Sequence, residues 1–226
     1  RFPVASGTSR SAVRLASAAM EAEGSLRCSA RSPRRPSAVA VAGLSTAASA
    51  HLELKIMAPA APGGDIAYTW KLNPVDRRAG GAKSGSGVTG PSRDYTVKVD
   101  ATGLDAGRAY TFEFEAAGVK SPLGRTRTLP AGPTKDVVLA VASCSLYPNG
   151  YFNAYQAIAD LPRVDAVLHL GDYIYEYGLN GYGGEVALKM GRLPRPEVEI
   201  VTLGDYRLRH AQYKEEPELQ AAHAMA

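Results

Sequence analysis

Hydrophobic and polar residues alternate along the middle of the chain. A period of two places every second side chain on one face, which predicts β-strands with one buried face and one face in water. Glycine- and proline-rich linkers separate these segments and predict turns and loops. Short strands at this spacing predict a small β-sandwich over about residues 51–130. The alternating segments are HLELKIMA (51–58), IAYTWKL (66–72), YTVKV (95–99) and YTFEF (110–114).

The pattern changes after Pro133. The runs DVVLAVAS (136–143) and VDAVLHLGD (164–172) are almost continuously apolar, which predicts strands buried on both faces. Between them, Phe152, Tyr155 and Ile158 follow one another at helical spacing. A strand, a helix and a strand in this order predict a βαβ unit with two parallel strands, from about residue 136 to residue 176.

The last part of the chain predicts two helices. Residues 202–216 have helical character, and Thr202 and Asp205 stand at the spacing of a capping box. Residues 216–226 predict a further helical segment. The preceding stretch, 181–201, is interrupted by glycine and proline, so we expect an irregular excursion there.

The first 50 residues are rich in alanine, serine and arginine and show no sustained periodicity. Arg34 and Arg35, the apolar AVAVAGL and a small-residue site at 48–50 together fit an export signal of the twin-arginine type. The mature chain would then begin at His51 and act in the periplasm or outside the cell. One alternative is a disordered leader. The other is that FPVASG followed by SAVRLA, within residues 2–16, forms the first strand of the next domain.

Composition and charge restrict the class of protein. The chain of 226 residues is 45% hydrophobic and 21% charged, which suits one large or two small globular domains. Residues 1–36 hold seven arginines and two glutamates, so the rest of the chain carries a net charge of −1 within the total of +4. This near-neutral body shows no nucleic-acid footprint. No apolar run reaches the roughly 18 residues of a membrane span. Oligomeric state is left open.

Candidate chemistry lies at the ends of the two apolar strands. Cys144 follows the first strand and Asp172 follows the second, after Gly171. Because ligands of parallel sheets bind at the carboxyl ends of the strands, we expect both side chains to face one crevice. With Tyr175, they offer a thiolate, a carboxylate and a phenolate, a set that favours iron over magnesium or calcium. Such an ion polarises phosphoryl oxygens and lowers the pKa of bound water.

Other interpretations of these residues stay open at this point. Cys144 could be a small buried hydrophobic residue, or the nucleophile of a thiol enzyme, which would need an adjacent base. A disulfide with Cys28 is also conceivable, although Cys28 lies in a low-complexity segment. The tyrosines at 173, 175 and 177 could serve packing alone. His169 fits a hydrogen-bonded core histidine better than a ligand.

Two resemblances bring these motifs together. GLDAGRAYTFEF resembles the corner of a fibronectin type III or immunoglobulin-like domain, with Leu104, Gly107 and the corner tyrosine Tyr110 at the expected offsets. ASCSLYPNGYFNAYQAIADLPRVDAVLHLGDYIYEYG and GRLPRPEVEIVTLGDYRLRHAQYKEEPELQAAHA resemble the PhoD family of alkaline phosphatases, within the metallophosphoesterase superfamily. GDYIY also fits the GDxxY pattern of purple acid phosphatases, in which the tyrosine binds ferric iron.

The resemblance implies a mixed α and β architecture and a reaction. A fibronectin III-like N-terminal domain (51–132) would follow the leader (1–50) and precede the first part of a calcineurin-like metallophosphoesterase α/β domain (133–226). The implied activity is hydrolysis of phosphoesters, either monoesters or diesters, at a centre of Fe³⁺ and Ca²⁺. Cys144, Asp172 and Tyr175 would bind the iron, and Asp172 would be catalytic as the bridge to calcium.

Two departures from the family qualify this expectation. The superfamily's Asp-x-His motif is replaced here by SCS, and the family's Trp-Asp-Asp-His-Glu motif would fall beyond Ala226. We therefore expect the 226 residues to represent the first half of such an enzyme and to bind metal weakly or not at all by themselves. The alternative is a non-catalytic remnant whose β-sandwich serves as a binding or structural module.

Overall fold

The computed structural model describes residues 12–17, 37–43, 45–57, 63–76 and 81–225. Two antiparallel sheets and one parallel sheet account for the strands, and four helices follow or connect the strands of the parallel sheet. The strands are β1 (Ala12–Ser17), β2 (Ser37–Ala42), β3 (Ser49–Met57), β4 (Ile66–Pro74), β5 (Lys83–Thr89), β6 (Thr96–Thr102), β7 (Ala109–Ala116), β8 (Val119–Lys120), β9 (Gly124–Arg127), β10 (Asp136–Ala142) and β11 (Ala166–His169). The helices are α1 (Asn153–Ala159), α2 (Gly184–Met190), α3 (Leu203–Lys214) and α4 (Pro217–His223).

The two antiparallel sheets form the predicted β-sandwich. One sheet has the order β2-β3-β6, and the other has the order β5-β4-β7-β8, with β9 also paired to β7. Every second residue of β3 and β7 points into the space between the sheets, so Leu52, Leu54, Phe112 and Phe114 are almost completely buried. The period-two pattern therefore identified the inner faces of these strands, because alternate side chains of a strand lie on opposite faces.

Tyr110 is the corner tyrosine that the sequence predicted. Its ring is fully buried, and its hydroxyl accepts a hydrogen bond from the backbone N–H of Asp105 at 3.1 Å. Gly107, with a φ of 67°, makes the left-handed turn between them. The hydroxyl thus fastens the chain just before β7 to the start of that strand.

The sandwich extends further toward the N-terminus than the alternating pattern indicated. β2 pairs antiparallel with β3 from Ser37↔Met57 to Ala42↔Leu52, and Ala38, Val39 and Ala40 are buried. The AVAVA run is thus a strand of the sandwich in this structure. The export signal over residues 34–50 stays a prediction, and residues 18–36 lie outside the described residues.

A second difference is β5, which occupies part of the predicted loop between residues 77 and 94. Glycine is depleted in strands, so KSGSGVT has the composition of a loop. Here the glycines make room for rings of the neighbouring strand. A Cβ at Gly85 would lie 2.6 Å from Trp70 Nε1, and one at Gly87 would lie 2.5 Å from the Tyr68 hydroxyl. These two glycines allow the large aromatic side chains of β4 to lie across β5.

The parallel sheet has the order β1-β10-β11, and its second half confirms the predicted βαβ unit. β10 and β11 run parallel, in register from Leu139↔Ala166 to Ala142↔His169, and α1 connects them. Phe152, Tyr155 and Ile158 are buried, as their helical spacing predicted. They belong to a core that also contains Tyr213 of α3 and Leu219 of α4.

β11 corrects one expectation, since it is not buried on both faces. Val167 is 37% exposed and Leu168 is 43% exposed. β11 is the edge strand of the parallel sheet, and within the described residues no strand pairs with its other side. An apolar run alone therefore did not reveal that the strand lies at an edge.

The C-terminal helices are largely as predicted. Thr202 caps α3 by accepting the N–H of Asp205 at 3.2 Å, while the Asp205 carboxylate accepts the N–H of Thr202 at 2.9 Å. α4 follows after a short break. The helix α2 was missed within the excursion at 181–201, because glycines flank it on both sides. Gly183 and Gly191 are both left-handed and are the residues immediately before and after the helix.

Candidate active site

The two turns that leave the parallel strands lie side by side. β10 ends at Ala142 and β11 ends at His169, so both turns emerge at the same edge of the sheet. The N–H of Cys144 donates to the carbonyl oxygen of Gly171 at 3.2 Å, and the N–H of Ser145 donates to the carbonyl oxygen of Asp172 at 2.8 Å. The predicted proximity of Cys144 and Asp172 is therefore present.

Both turns contain a non-glycine residue in the left-handed region. Cys144 has a φ of 60° and Asp172 has a φ of 54°, and Gly171 before it has a φ of 115°. Such conformations cost roughly 1–3 kcal/mol each and cluster at functional sites. They persist only where surrounding contacts hold them, so the contacts of Cys144 and Asp172 determine whether the two turns keep this conformation.

A thiol and a phenol both contact one carboxylate oxygen of Asp172. The Cys144 thiol lies 3.6 Å from Asp172 Oδ2, and the Tyr175 hydroxyl donates to the same oxygen at 3.1 Å. Cys144 is an exposed free thiol, which rules out the buried hydrophobic interpretation. The structure thus brings together all three residues that the sequence singled out.

The Tyr175 phenol is electrostatically coupled to the other two side chains of this cluster. Partial burial, and hydrogen bonding with Cys144 and Asp172, raise the pKa of Tyr175 above its ordinary value. The Tyr175 phenol and the Cys144 thiol thus converge on the same carboxylate oxygen of Asp172. In the described residues, no group of three or more His, Cys, Asp and Glu side chains could hold a metal ion, so a site here depends on the phenol of Tyr175.

A buried polar cluster lies directly behind the two turns. Ser145 Oγ contacts the Tyr155 hydroxyl and lies 3.2 Å from His169 Nε2, which is itself 3.0 Å from the Tyr155 hydroxyl. The rings of Tyr155 and His169 stack, with an interplanar angle of 2°. His169 is therefore hydrogen-bonded, as the sequence favoured, although it is only partly buried and lines a cleft instead of lying in the core. We name Ser145, Tyr155 and His169 the back cluster.

Arg209 of α3 holds the segment that carries Tyr175. The residue is 2% exposed, and its guanidinium donates to backbone carbonyls around residues 175–177 and 195–196. No carboxylate appears among its hydrogen-bond partners in the described residues. The acceptors are the carbonyl oxygens of Tyr175, Tyr177, Arg195 and Pro196.

A third buried group lies deeper in the same core. Lys214 Nζ donates to His223 Nε2 at 2.7 Å, and the Tyr173 hydroxyl lies 3.0 Å from the same nitrogen. Burial lowers the pKa of Lys214 to about 7, and burial together with Lys214 lowers the pKa of His223. Sequence reasoning missed this group, because Tyr173, in the turn after β11, is 50 residues from His223 and meets it only when α3 and α4 pack against the sheet.

A cleft separates part of the sandwich from the parallel sheet. It has a volume of about 400 Å³, and Ala42 and Gly43 of the sandwich face Tyr155, His169 and His223 across it. Neither Cys144, Asp172 nor Tyr175 lines this cleft. The candidate chemistry is thus at the sheet edge, outside the cavity, and the back cluster lies between the two.

Comparisons with known proteins agree on one family. The model of the PhoD-like phosphatase N-terminal domain matches residues 48–130, and the PhoD-like phosphatase model matches residues 139–226. Alkaline phosphatase D of Bacillus subtilis (strain 168) is 42% identical over 145 residues, which cover 63% of this chain and 24% of that protein. A solved structure of PhoD is 34% identical, with a TM-score of 0.71, over 82% of this chain and 36% of its own. The chain spans only a minor part of either relative.

Proposed function

The chain belongs to the PhoD-like phosphatase family, whose two domain models match residues 48–130 and 139–226. We therefore propose that it forms part of a phosphoester hydrolase with an iron–calcium centre. In this proposal Cys144, Asp172 and Tyr175 bind Fe³⁺, and Asp172 also bridges to Ca²⁺. The observation that carries it is the convergence of a thiol and a phenol on one Asp172 oxygen, at the carboxyl ends of two parallel strands.

The thiol and the phenol share one task in this proposal, and the Asp172 carboxylate has another. The metal pair, when bound, would polarise a phosphoryl oxygen and lower the pKa of a bound water. The thiol of Cys144 and the phenol of Tyr175 would release the protons that they now donate to Asp172, since ligands bind metal in their deprotonated forms. Asp172 is exposed and follows Gly171, so its carboxylate can be reached from the crevice by a phosphoester.

The proposal also covers the fold and location of the whole protein. β1, β10 and β11 would be the first parallel strands of a calcineurin-like α/β domain, and the exposed edge of β11 is compatible with further strands. The remaining ligands of both metals would belong to the part of the family that this chain does not span. Action in the periplasm or outside the cell rests on the export signal predicted at residues 34–50. In the described residues, no helix is long and apolar enough to cross a membrane.

A hybrid protein tests this function. Residues 139–226 of this chain replace the corresponding segment of the B. subtilis alkaline phosphatase D, whose own sequence supplies the rest. We expect the hybrid to hydrolyse a chromogenic phosphomonoester or phosphodiester, and to do so far faster than the 226-residue chain alone. Asp172→Asn should reduce the rate most, because a bridging carboxylate is shared by two metals, and Cys144→Ser should weaken iron retention.

The controls separate chemistry from folding. Asp160→Asn changes an exposed carboxylate at the end of α1 and should leave hydrolysis unchanged. Equal activity in the Asp172→Asn hybrid and the Asp160→Asn hybrid would contradict the proposed role of Asp172. A folded hybrid without hydrolysis of either ester would contradict the function itself.

A further inference from the structure

We propose that the back cluster, Ser145, Tyr155 and His169, positions the candidate site by holding the turns of Cys144 and Asp172 in one fixed arrangement. No member of the cluster is among the three candidate ligands. The geometric part of this inference stands without any metal, and only its consequence for hydrolysis rests on the proposed function.

His169 connects the cluster to the Asp172 turn. The backbone N–H of Gly171 donates to His169 Nδ1 at 3.3 Å, which makes Nδ1 an acceptor. A neutral ring then carries its hydrogen on Nε2, the nitrogen that faces Ser145 Oγ and the Tyr155 hydroxyl. One tautomer therefore serves the turn with one nitrogen and the cluster with the other.

Ser145 connects the cluster to both turns. Its side chain contacts Tyr155 and His169, while its backbone N–H donates to the carbonyl oxygen of Asp172 at 2.8 Å. The residue is completely buried and directly follows Cys144. A shift of Ser145 would therefore move the neighbouring Cys144 backbone and would also displace the Ser145 N–H from the Asp172 carbonyl oxygen.

Tyr155 fixes the cluster to the core. It comes from α1, its ring is 4% exposed, and it packs edge-on against Phe152 with ring centroids 5.6 Å apart. Burial raises the pKa of its hydroxyl, so the group remains a hydrogen-bonding phenol. The cluster is thus attached to a helix, which is a more rigid support than either turn.

The left-handed residues explain why such a support is needed. Cys144 and Asp172 adopt a backbone conformation that non-glycine residues leave readily unless their surroundings hold it. The two turns bind each other through two N–H groups, and the back cluster supplies the contacts behind them. Without the cluster, the turns would retain their sequence but sample several arrangements, and the thiol and carboxylate would meet less often.

Thiol reactivity and amide exchange of the 226-residue chain test this inference. In a Cys28→Ser background, Cys144 is the one remaining thiol in the sequence, and its reaction with an uncharged thiol reagent can be followed directly. We expect Ser145→Ala and Tyr155→Phe to raise the reaction rate several-fold, and the exchange rates of the Cys144 and Ser145 amides about tenfold. Ser143→Ala, an exposed serine on the other side of Cys144, is the matched control and should change neither rate.

Two substitutions of His169 separate its two contacts. His169→Asn keeps an acceptor near the Nδ1 position, whereas His169→Gln places an amide near the Nε2 position. Asn should preserve slow exchange of the Gly171 amide and lose the contact with Ser145, and Gln should do the reverse. Exchange in β4 and β7 of the sandwich serves as the internal reference for folding.

The outcomes distinguish this inference from the proposed function. Rates in Ser145→Ala and Tyr155→Phe equal to those in Ser143→Ala would overturn it. If these variants do not fold, the ring nitrogens of His169 in the unsubstituted chain decide: ¹⁵N spectra should show hydrogen on Nε2, and hydrogen on Nδ1 would overturn it. An inactive hybrid with altered exchange in Ser145→Ala would contradict the proposed function while the positioning role stands.

Discussion

Ser145 donates its backbone N–H to the carbonyl oxygen of Asp172 across 2.8 Å, and this bond joins the ends of two neighbouring parallel strands. A second backbone bond joins the same two turns: the N–H of Cys144 donates to the carbonyl oxygen of Gly171 at 3.2 Å. The two backbone bonds hold Cys144 and Asp172, 28 positions apart in the chain, next to each other, and the thiol of Cys144 lies 3.6 Å from Asp172 Oδ2. The site is defined by this backbone pairing before any ion is considered.

Arg209 is expected to be critical for the segment that presents Tyr175. Arg209→Met removes the hydrogen bonds to four backbone carbonyl oxygens, and each buried acceptor left without a partner costs about 1–3 kcal/mol. We expect the free energy of unfolding, measured by urea denaturation, to fall by at least about 2 kcal/mol. Arg207→Met, two residues away and with a single hydrogen bond to Ser92, should change it by less than about 0.5 kcal/mol. Equal effects of the two substitutions would contradict the role of Arg209.

The ion pair of Arg192 and Glu216 gives a second stability prediction. Their side chains are 7% and 3% exposed, with Nη1 and Oε2 3.3 Å apart, and the Arg192 guanidinium also stacks over the Tyr147 ring at 3.9 Å. Arg192→Met removes this buried ion pair together with the bond from Arg192 Nε to the Tyr147 carbonyl oxygen, so it should destabilise the chain by about 3–5 kcal/mol. Thermal or urea unfolding measures this.

The matched control is an ion pair in water. Lys120 pairs with Glu113 at 2.9 Å on the sandwich surface, and Lys120→Met should leave the unfolding midpoint nearly unchanged. The prediction for Arg192 would be wrong if both substitutions shifted the midpoint alike.

Much of the site follows from local sequence, because parallel strands place their carboxyl ends together. The apolar runs around residues 137–142 and 164–169 were enough to predict that Cys144 and Asp172 meet. The sequence could not reveal the back cluster in the same way. Ser145 and His169 are close to the three candidate ligands in the chain, but Tyr155 has the pattern of an ordinary apolar position of an amphipathic helix until the strands are packed.

The differences in the fold have similar physical causes. β5 was missed because Gly85 and Gly87 are unfavourable in strands, and only the rings of Trp70 and Tyr68 beside them explain their presence. β11 was expected to be buried on both faces, although Val167 and Leu168 are exposed at the sheet edge. In both cases the deciding information is the neighbouring strand, which a local pattern does not contain.

Lys214 predicts a pH dependence of stability. Burial lowers the pKa of this ammonium group from 10.5 to about 7, while Glu53 acts in the opposite direction. Between these pH values the unfolded chain binds a proton that the folded chain has released, so this residue makes stability rise with pH from about 7 to 10.5. Lys214→Met removes this contribution. The difference in the free energy of unfolding, variant minus unsubstituted chain, should therefore be largest near pH 7 and should decrease toward pH 10.

Lys189 provides the comparison for this titration. It is exposed in the last turn of α2, so Lys189→Met controls for replacing a lysine by methionine at a site outside the core. Urea titrations at several pH values measure both variants. A flat difference for Lys214→Met would show that the ammonium group is not destabilised by burial.

The visible spectrum of the hybrid loaded with ferric iron tests the central claim most directly, because a phenolate bound to Fe³⁺ absorbs visible light. We predict a band in the hybrid that is absent in Tyr175→Phe and retained in Tyr177→Phe, whose ring stacks on Tyr175 with centroids 5.9 Å apart. A band of equal strength in Tyr175→Phe, or a fully active hybrid that contains iron and has no band, would contradict the assignment of Tyr175 with Cys144 and Asp172 to one iron site.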